Sequence, residues 1–175
     1  MRARGRHVHA FPRPCCNLGV LLGRTGCGRM NAQPIFRIFF ACVGNSARSQ
    51  MAEGLCRALA APGVECKSGG TKPAGRLMPE AVAAMAERGI DISSQRSQPI
   101  DEVFAASADL IVVMGCGDDA CPAFVGRPLE DWELQDPKGA SLAQVRNIRD
   151  EIERRVRRVL ATRGLLGAGV DGGAT

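Results

Sequence analysis

Apolar and polar positions fall into blocks that switch between two periods. Residues 35–41 (IFRIFFA) form a nearly unbroken apolar run, the pattern of a buried strand. From about 47 to 61, Met51, Leu55 and Leu59 recur every fourth residue and predict a helix with one inward face, stopped by Pro62-Gly63. Residues 64–68 alternate and predict a second strand, and Gly69 to Gly75 reads as a long turn. A helix is predicted over 79–88, with Val82, Met85 and Ala86 inward and Gly89 as its cap. Residues 93–98 are polar loop, and 101–107 a short helix. The β-branched run 109–114 predicts another buried strand, 115–126 a loop, and 128–134 a last strand carrying Trp132. The clearest helix is 142–163, where Val145, Ile148, Ile152, Val156 and Val159 or Leu160 fall at steps of three and four. Strands alternating with helices predict an α/β fold with a parallel, doubly wound sheet.

The ends break this pattern. Residues 1–34 hold six Arg, no acid, and Pro12, Pro14 and Pro34. The short apolar piece 18–22 lacks the form of a secretory signal, while the Arg excess permits an organelle transit peptide. We read 1–34 as a disordered or non-native leader, with initiation at Met30, and 35–163 as the domain. Residues 164–175 are Gly-rich and read as a flexible tail.

Charge changes meaning once the leader is set aside. The net +5 becomes 17 basic against 18 acidic residues over 35–175. That balance offers no nucleic-acid surface, and no apolar run has the length of a membrane span. The eight Cys are not spaced like a secreted disulfide scaffold and suit cytoplasmic thiol chemistry. Both His lie in the leader and there is no Cys-x2-Cys pair, so no metal site is expected.

The candidate chemistry sits where the first strand gives way to the first helix. Cys42 is followed by Val43, Gly44, Asn45, Ser46, Ala47, Arg48 and Ser49. A loop entering a helix aims several backbone N–H groups at one spot, and the helix dipole adds positive charge. Arg48 adds a planar fork of donors. A thiol there is expected to lose its proton easily, so the loop suits an oxyanion held against a thiolate. The plain alternative is a buried strand-end cysteine. Two further features are expected at the same end of the sheet. Asp136-Pro137 follows the last predicted strand and offers a general acid, although an Asp-Pro pair is often a simple turn. Cys116 and Cys121 lie five apart on a loop shaped by Gly115, Gly117 and Pro122, read as mobile and exposed.

Five ordered segments carry a resemblance: FACVGNSARSQMAEG (40–54), SGGTKPAGRLMPEAVAAMAERGIDIS (68–93), DLIVVMGCGDDACP (109–122), EDWELQDPKG (130–139) and VRNIRDEIERRV (145–156). From about 35 to 163 the chain resembles the arsenate reductases of the low-molecular-weight tyrosine phosphatase fold, in particular the thioredoxin-coupled branch. The resemblance implies a four-stranded parallel sheet flanked by helices. It implies Cys42 as nucleophile, Arg48 and the backbone of 43–48 as oxyanion cradle, and Asn45 and Ser49 as residues shaping the loop and the thiolate. Asp136 matches the general acid, and Cys116 and Cys121 the second and third redox cysteines. The implied partners are arsenate, with phosphate or sulfate as competitors, and thioredoxin or another thiol donor of electrons, with no bound cofactor.

Two other functions compete. A phosphatase of the same fold would use the same loop and acid through a cysteinyl-phosphate. Against it, the chain has no Tyr, Lys138-Gly139 follows the Asp-Pro where tyrosine phosphatases place aromatics, and position 47 is Ala. A non-catalytic oxyanion or redox sensor would need the cradle but neither Asp136 nor three thiols, and would show no turnover.

Overall fold

The computed structural model describes residues 35–116 and 124–168. Four strands, β1 (Phe36–Cys42), β2 (Val64–Gly70), β3 (Leu110–Met114) and β4 (Leu129–Asp131), form one parallel sheet in the order β2-β1-β3-β4. The helices are α1 (Arg48–Leu59), α2 (Pro79–Ala86), α3 (Glu102–Ala106) and α4 (Leu142–Thr162).

From Ile38 onward the central strand β1 is apolar because it is covered on both sides. Ile38, Phe40 and Cys42 join a core built with α1, α2 and α4; Phe39 and Ala41 join a second core with Phe104 of α3 and Phe124. Alternate side chains on a pleated strand point to opposite faces, so one run feeds two layers. Register fixes the functional end of the sheet: Cys42, the last residue of β1, lies opposite both Gly70 of β2 and Met114 of β3. Helix α4 begins with a capping box between Ser141 and Gln144 and buries Val145, Ile148, Ile152, Val156, Val159 and Leu160, the face its periodicity predicts.

Three expectations shift. β2 continues through Gly69 and Gly70, which the sequence reading gave to the turn. A Cβ at Gly70 would lie 2.6 Å from the Val43 carbonyl, and one at Gly69 2.8 Å from the Ile100 backbone, so glycine is what lets the strand run this close to its neighbours. α2 turns Ala81, Ala84 and Met85 inward; Val82 is half-buried and Ala86 exposed. β4 is only three residues long, and Trp132 lies just beyond it, buried against Phe40 with ring centroids 6.1 Å apart. Among the described residues no helix is long and apolar enough to cross a membrane, and no group of three or more metal-binding side chains occurs.

Candidate active site

The loop between β1 and α1 is held by its carbonyls. Those of Cys42, Val43, Gly44 and Ser46 accept hydrogen bonds from the backbone N–H groups of Thr71, Lys72, Ala74 and Met78. The acceptors are thereby used up on one side of the loop. Arg48 and Ser49 open α1, whose first helical bond runs from the Met51 N–H to the Ala47 carbonyl, so the N–H groups of 48–50 have no partner within the helix. A curved segment with its carbonyls tied off and free N–H groups at a helix start is an anion cradle.

The sulfur of Cys42 lies in that cradle, almost wholly buried. The Asn45 N–H donates to it at 3.2 Å, and it shares a hydrogen bond with Ser49 Oγ at 3.0 Å. Asn45 makes the turn possible, with a φ of 43° that asparagine tolerates better than most residues. Its buried side-chain amide is fully used. Nδ2 donates to Ser49 Oγ at 2.9 Å and Ser68 Oγ at 2.8 Å, and Oδ1 accepts from the Gln98 N–H and Gln50 Nε2. A thiolate at Cys42 therefore finds donors already aimed and locked.

Arg48 is buried at the mouth of α1. Its Nη1 donates to the Leu134 carbonyl at 3.2 Å, and its Nη2 lies 3.7 Å from Asp136 Oδ1. Asp136 is exposed on the Asp-Pro turn, where the same oxygen accepts from the Lys138 N–H at 3.1 Å. The predicted residues Cys42, Val43, Gly44, Ser46, Ala47, Arg48 and Asp136 thus line one open cavity of about 680 Å³, while Asn45 and Ser49 support the sulfur from behind.

Cys116 lies two residues past Met114, the register partner of Cys42. Contrary to the expectation of an exposed loop thiol, it is buried among Phe39, Phe104 and Phe124, because the aromatics of α3 and of residue 124 close over the end of β3. Burial pushes its thiol above the ordinary range. That outweighs the lowering effects of a backbone hydrogen bond at Met114 and the nearby Arg48 charge, and the neighbouring Cys42 pushes the same way. Cys121 lies outside the described residues.

Sequence reasoning missed two parts of the site. One is the opposite wall, Ala74, Arg76, Leu77 and Met78, with Arg76 exposed toward the opening. The other is the buried polar support. Ser68 donates to Glu53 Oε2 at 2.6 Å, and Glu53 is almost fully buried. Burial raises the Glu53 carboxyl above the ordinary carboxylate range, against the opposing effects of Ser68 and Arg57. A signal existed for Ser68, which shares the inward alternation of Cys66; none existed for Glu53, because α1 is buried on nearly every side and not only along the Met51-Leu55-Leu59 face. The thiol count hid a third feature. Cys56 and Cys66 are joined in a disulfide, their Cα atoms 6.3 Å apart, where the sequence reading assigned these cysteines no pairing.

A family model described as low molecular weight phosphotyrosine protein phosphatase matches residues 37–163. The glutaredoxin arsenate reductase of Synechocystis sp. is 40% identical over 127 residues, covering 71% of this chain and 96% of the relative. Among solved structures, an arsenate reductase in a phosphate-binding state is 37% identical with a TM-score of 0.66, covering 73% of this chain and 98% of the other. A thioredoxin-dependent arsenate reductase from Corynebacterium glutamicum is 33% identical with a TM-score of 0.65, covering 75% and 63%.

Proposed function

Because the chain belongs to the low molecular weight phosphotyrosine protein phosphatase family and has arsenate reductases among its relatives, we propose that it reduces arsenate to arsenite through Cys42. One observation carries the reading. The Cys42 sulfur, the tied-off loop, the Arg48 guanidinium and the Asp136 carboxyl open on the same cavity, and a second thiol, Cys116, stands just beyond the end of the neighbouring strand β3.

Arsenate enters with its oxygens on the loop N–H groups and the Arg48 fork. The Cys42 thiolate attacks arsenic, Asp136 protonates the departing oxygen, and water leaves. Cys116, as a thiolate, then attacks the Cys42 sulfur. The sulfur–arsenic bond breaks with its electron pair going to arsenic, which leaves as arsenite, and a Cys42–Cys116 disulfide remains. Cys121 attacks Cys116 in turn, which frees Cys42 and leaves a Cys116–Cys121 disulfide for an external thiol donor to reduce. Relatives are named for different donors, glutaredoxin in Synechocystis and thioredoxin in C. glutamicum. Burial raises the Cys116 thiol and the nearby Arg48 charge opposes that, so movement out of the apolar seat toward Arg48 favours the attacking thiolate.

The test is arsenate-dependent NADPH oxidation with thioredoxin and thioredoxin reductase, then with glutaredoxin and glutathione, with arsenite measured directly. Arsenite formed with either donor supports the reading. No arsenite with any thiol donor, alongside hydrolysis of a phosphate ester, makes the chain a phosphatase.

A further inference from the structure

The Cys56–Cys66 disulfide belongs neither to the cavity nor to the relay. It joins the inward face of α1 to the inward face of β2. The same two elements are joined nearer the active site by the bond from Ser68 to Glu53. Residue 53 is one turn before residue 56 on the helix, and residue 68 is two after residue 66 on the strand, so both links lie on the same pair of faces. From there the contacts run without a gap. Ser68 accepts from Asn45, Asn45 donates to Ser49, and both Asn45 and Ser49 hold the Cys42 sulfur.

We propose that Cys56–Cys66 is a second redox pair, outside the relay, whose bridged state positions the oxyanion loop through Glu53, Ser68 and Asn45. The proposal rests on the reading of Cys42 as the reacting sulfur, and on no other part of the mechanism. With the bridge closed, α1 and β2 cannot slide apart, and the polar chain between them keeps its short contacts. With it open, that interface rests on the Ser68–Glu53 bond and apolar packing. In closing, the two thiols give two electrons and two protons to a low-molecular-weight disulfide, which leaves as two thiols. In opening, a dithiol returns both and itself becomes a disulfide. Cys56 is fully buried, and Cys66 nearly so, on the edge strand of the sheet. Attack therefore comes at Cys66, when that edge opens locally.

The first experiment blocks unpaired thiols of the purified full chain with iodoacetamide and maps the peptides. Cys56 bridged to Cys66 is expected; both alkylated would overturn the proposal. Graded dithiol should then open the bridge in the folded protein, and a bridge that never opens short of unfolding would remove its redox role. Next, inorganic phosphate binding is measured by calorimetry, and arsenate KM and kcat by turnover, for wild type and for Cys56→Ala/Cys66→Ala. Phosphate affinity should fall and KM should rise, each roughly tenfold, as misplacement of a binding loop produces, with kcat changed less. A lowered Tm with phosphate affinity and KM unchanged would make the bridge a plain crosslink. Should the double variant not fold, phosphate affinity of wild type before and after opening by dithiol decides, and no change overturns the positioning role. If wild type yields no arsenite, the arsenate reading fails while the phosphate measurements still judge the bridge.

Discussion

The guanidinium of Arg48 occupies the space that a side chain at Gly115 would need: a Cβ there would lie 2.8 Å from Arg48 Nη1. Gly115 also holds a φ of 68°, in the left-handed region. The residue just past β3 thus sets where the arginine that opens α1 can sit.

Gly115→Ala therefore has two separable effects. Left-handed backbone costs about 1–2 kcal/mol for a residue with a Cβ, which lowers Tm by a few degrees. The clash falls on the far end of a flexible side chain, so Arg48 moves and the fold survives. Arsenate KM should rise several-fold in a protein with native circular dichroism. An unchanged KM would show that Arg48 has room to spare.

Arg48→Lys tests the fork itself. A lysine keeps the charge but cannot hold the Leu134 carbonyl and a bidentate oxyanion together. Turnover should drop roughly 10²-fold, the usual loss for one preorganised oxyanion donor, with little change in Tm. Steady-state kinetics with thermal unfolding measure both.

Replacing the two relay thiols separates reduction from hydrolysis. Cys116→Ser should stop arsenate reduction yet leave any phosphate-ester hydrolysis intact, because water needs no second thiol. Cys121→Ser should complete one turnover and stall with Cys42 bridged to Cys116, which peptide mapping after one equivalent of arsenate detects. Cys42→Ser should abolish both activities. Normal turnover by both Cys116→Ser and Cys121→Ser would replace the relay with a single-thiol cycle.

Glu53 makes a prediction in pH. Its carboxyl is raised by burial, so between its unfolded and folded pKa the native chain binds more protons than the unfolded one. The stability this contributes is present at low pH and lost as pH rises through the raised value. Glu53→Gln keeps an acceptor for Ser68 without the charge. The Tm of the variant relative to wild type should therefore climb as pH rises from the ordinary carboxylate range through the raised value. A flat difference would mean that Arg57 and Ser68 cancel the cost of burial.

What the sequence discloses and what it withholds follow different physics. The strand-loop-helix order around Cys42 is legible because each part has its own local signal: an apolar run, a small polar loop, a four-residue period. Asp136 and Arg48 are legible only as candidates, and their 3.7 Å approach comes from register, which places the ends of β1, β3 and β4 side by side. The burial of Cys116 is invisible locally, since glycines flank it and the aromatics that cover it come from residues 39, 104 and 124. Cys56 and Cys66, ten apart across a helix end and a turn, look unrelated until the helix folds back on its strand. Gly69 and Gly70 read as turn because composition cannot tell a glycine needed for a bend from one needed for close approach.

The four hydrogen bonds that tie the loop to residues 71–78 are all backbone to backbone. The shape of the loop is therefore set by backbone contacts, while the side chains of residues 74, 76 and 77 line the cavity beside it. Anion capture and discrimination among its bearers are thus separately heritable. A lineage can exchange Ala74, Arg76 or Leu77 and change its clientele without redrawing the cradle, which is how one frame can serve both a free inorganic acid and an esterified one.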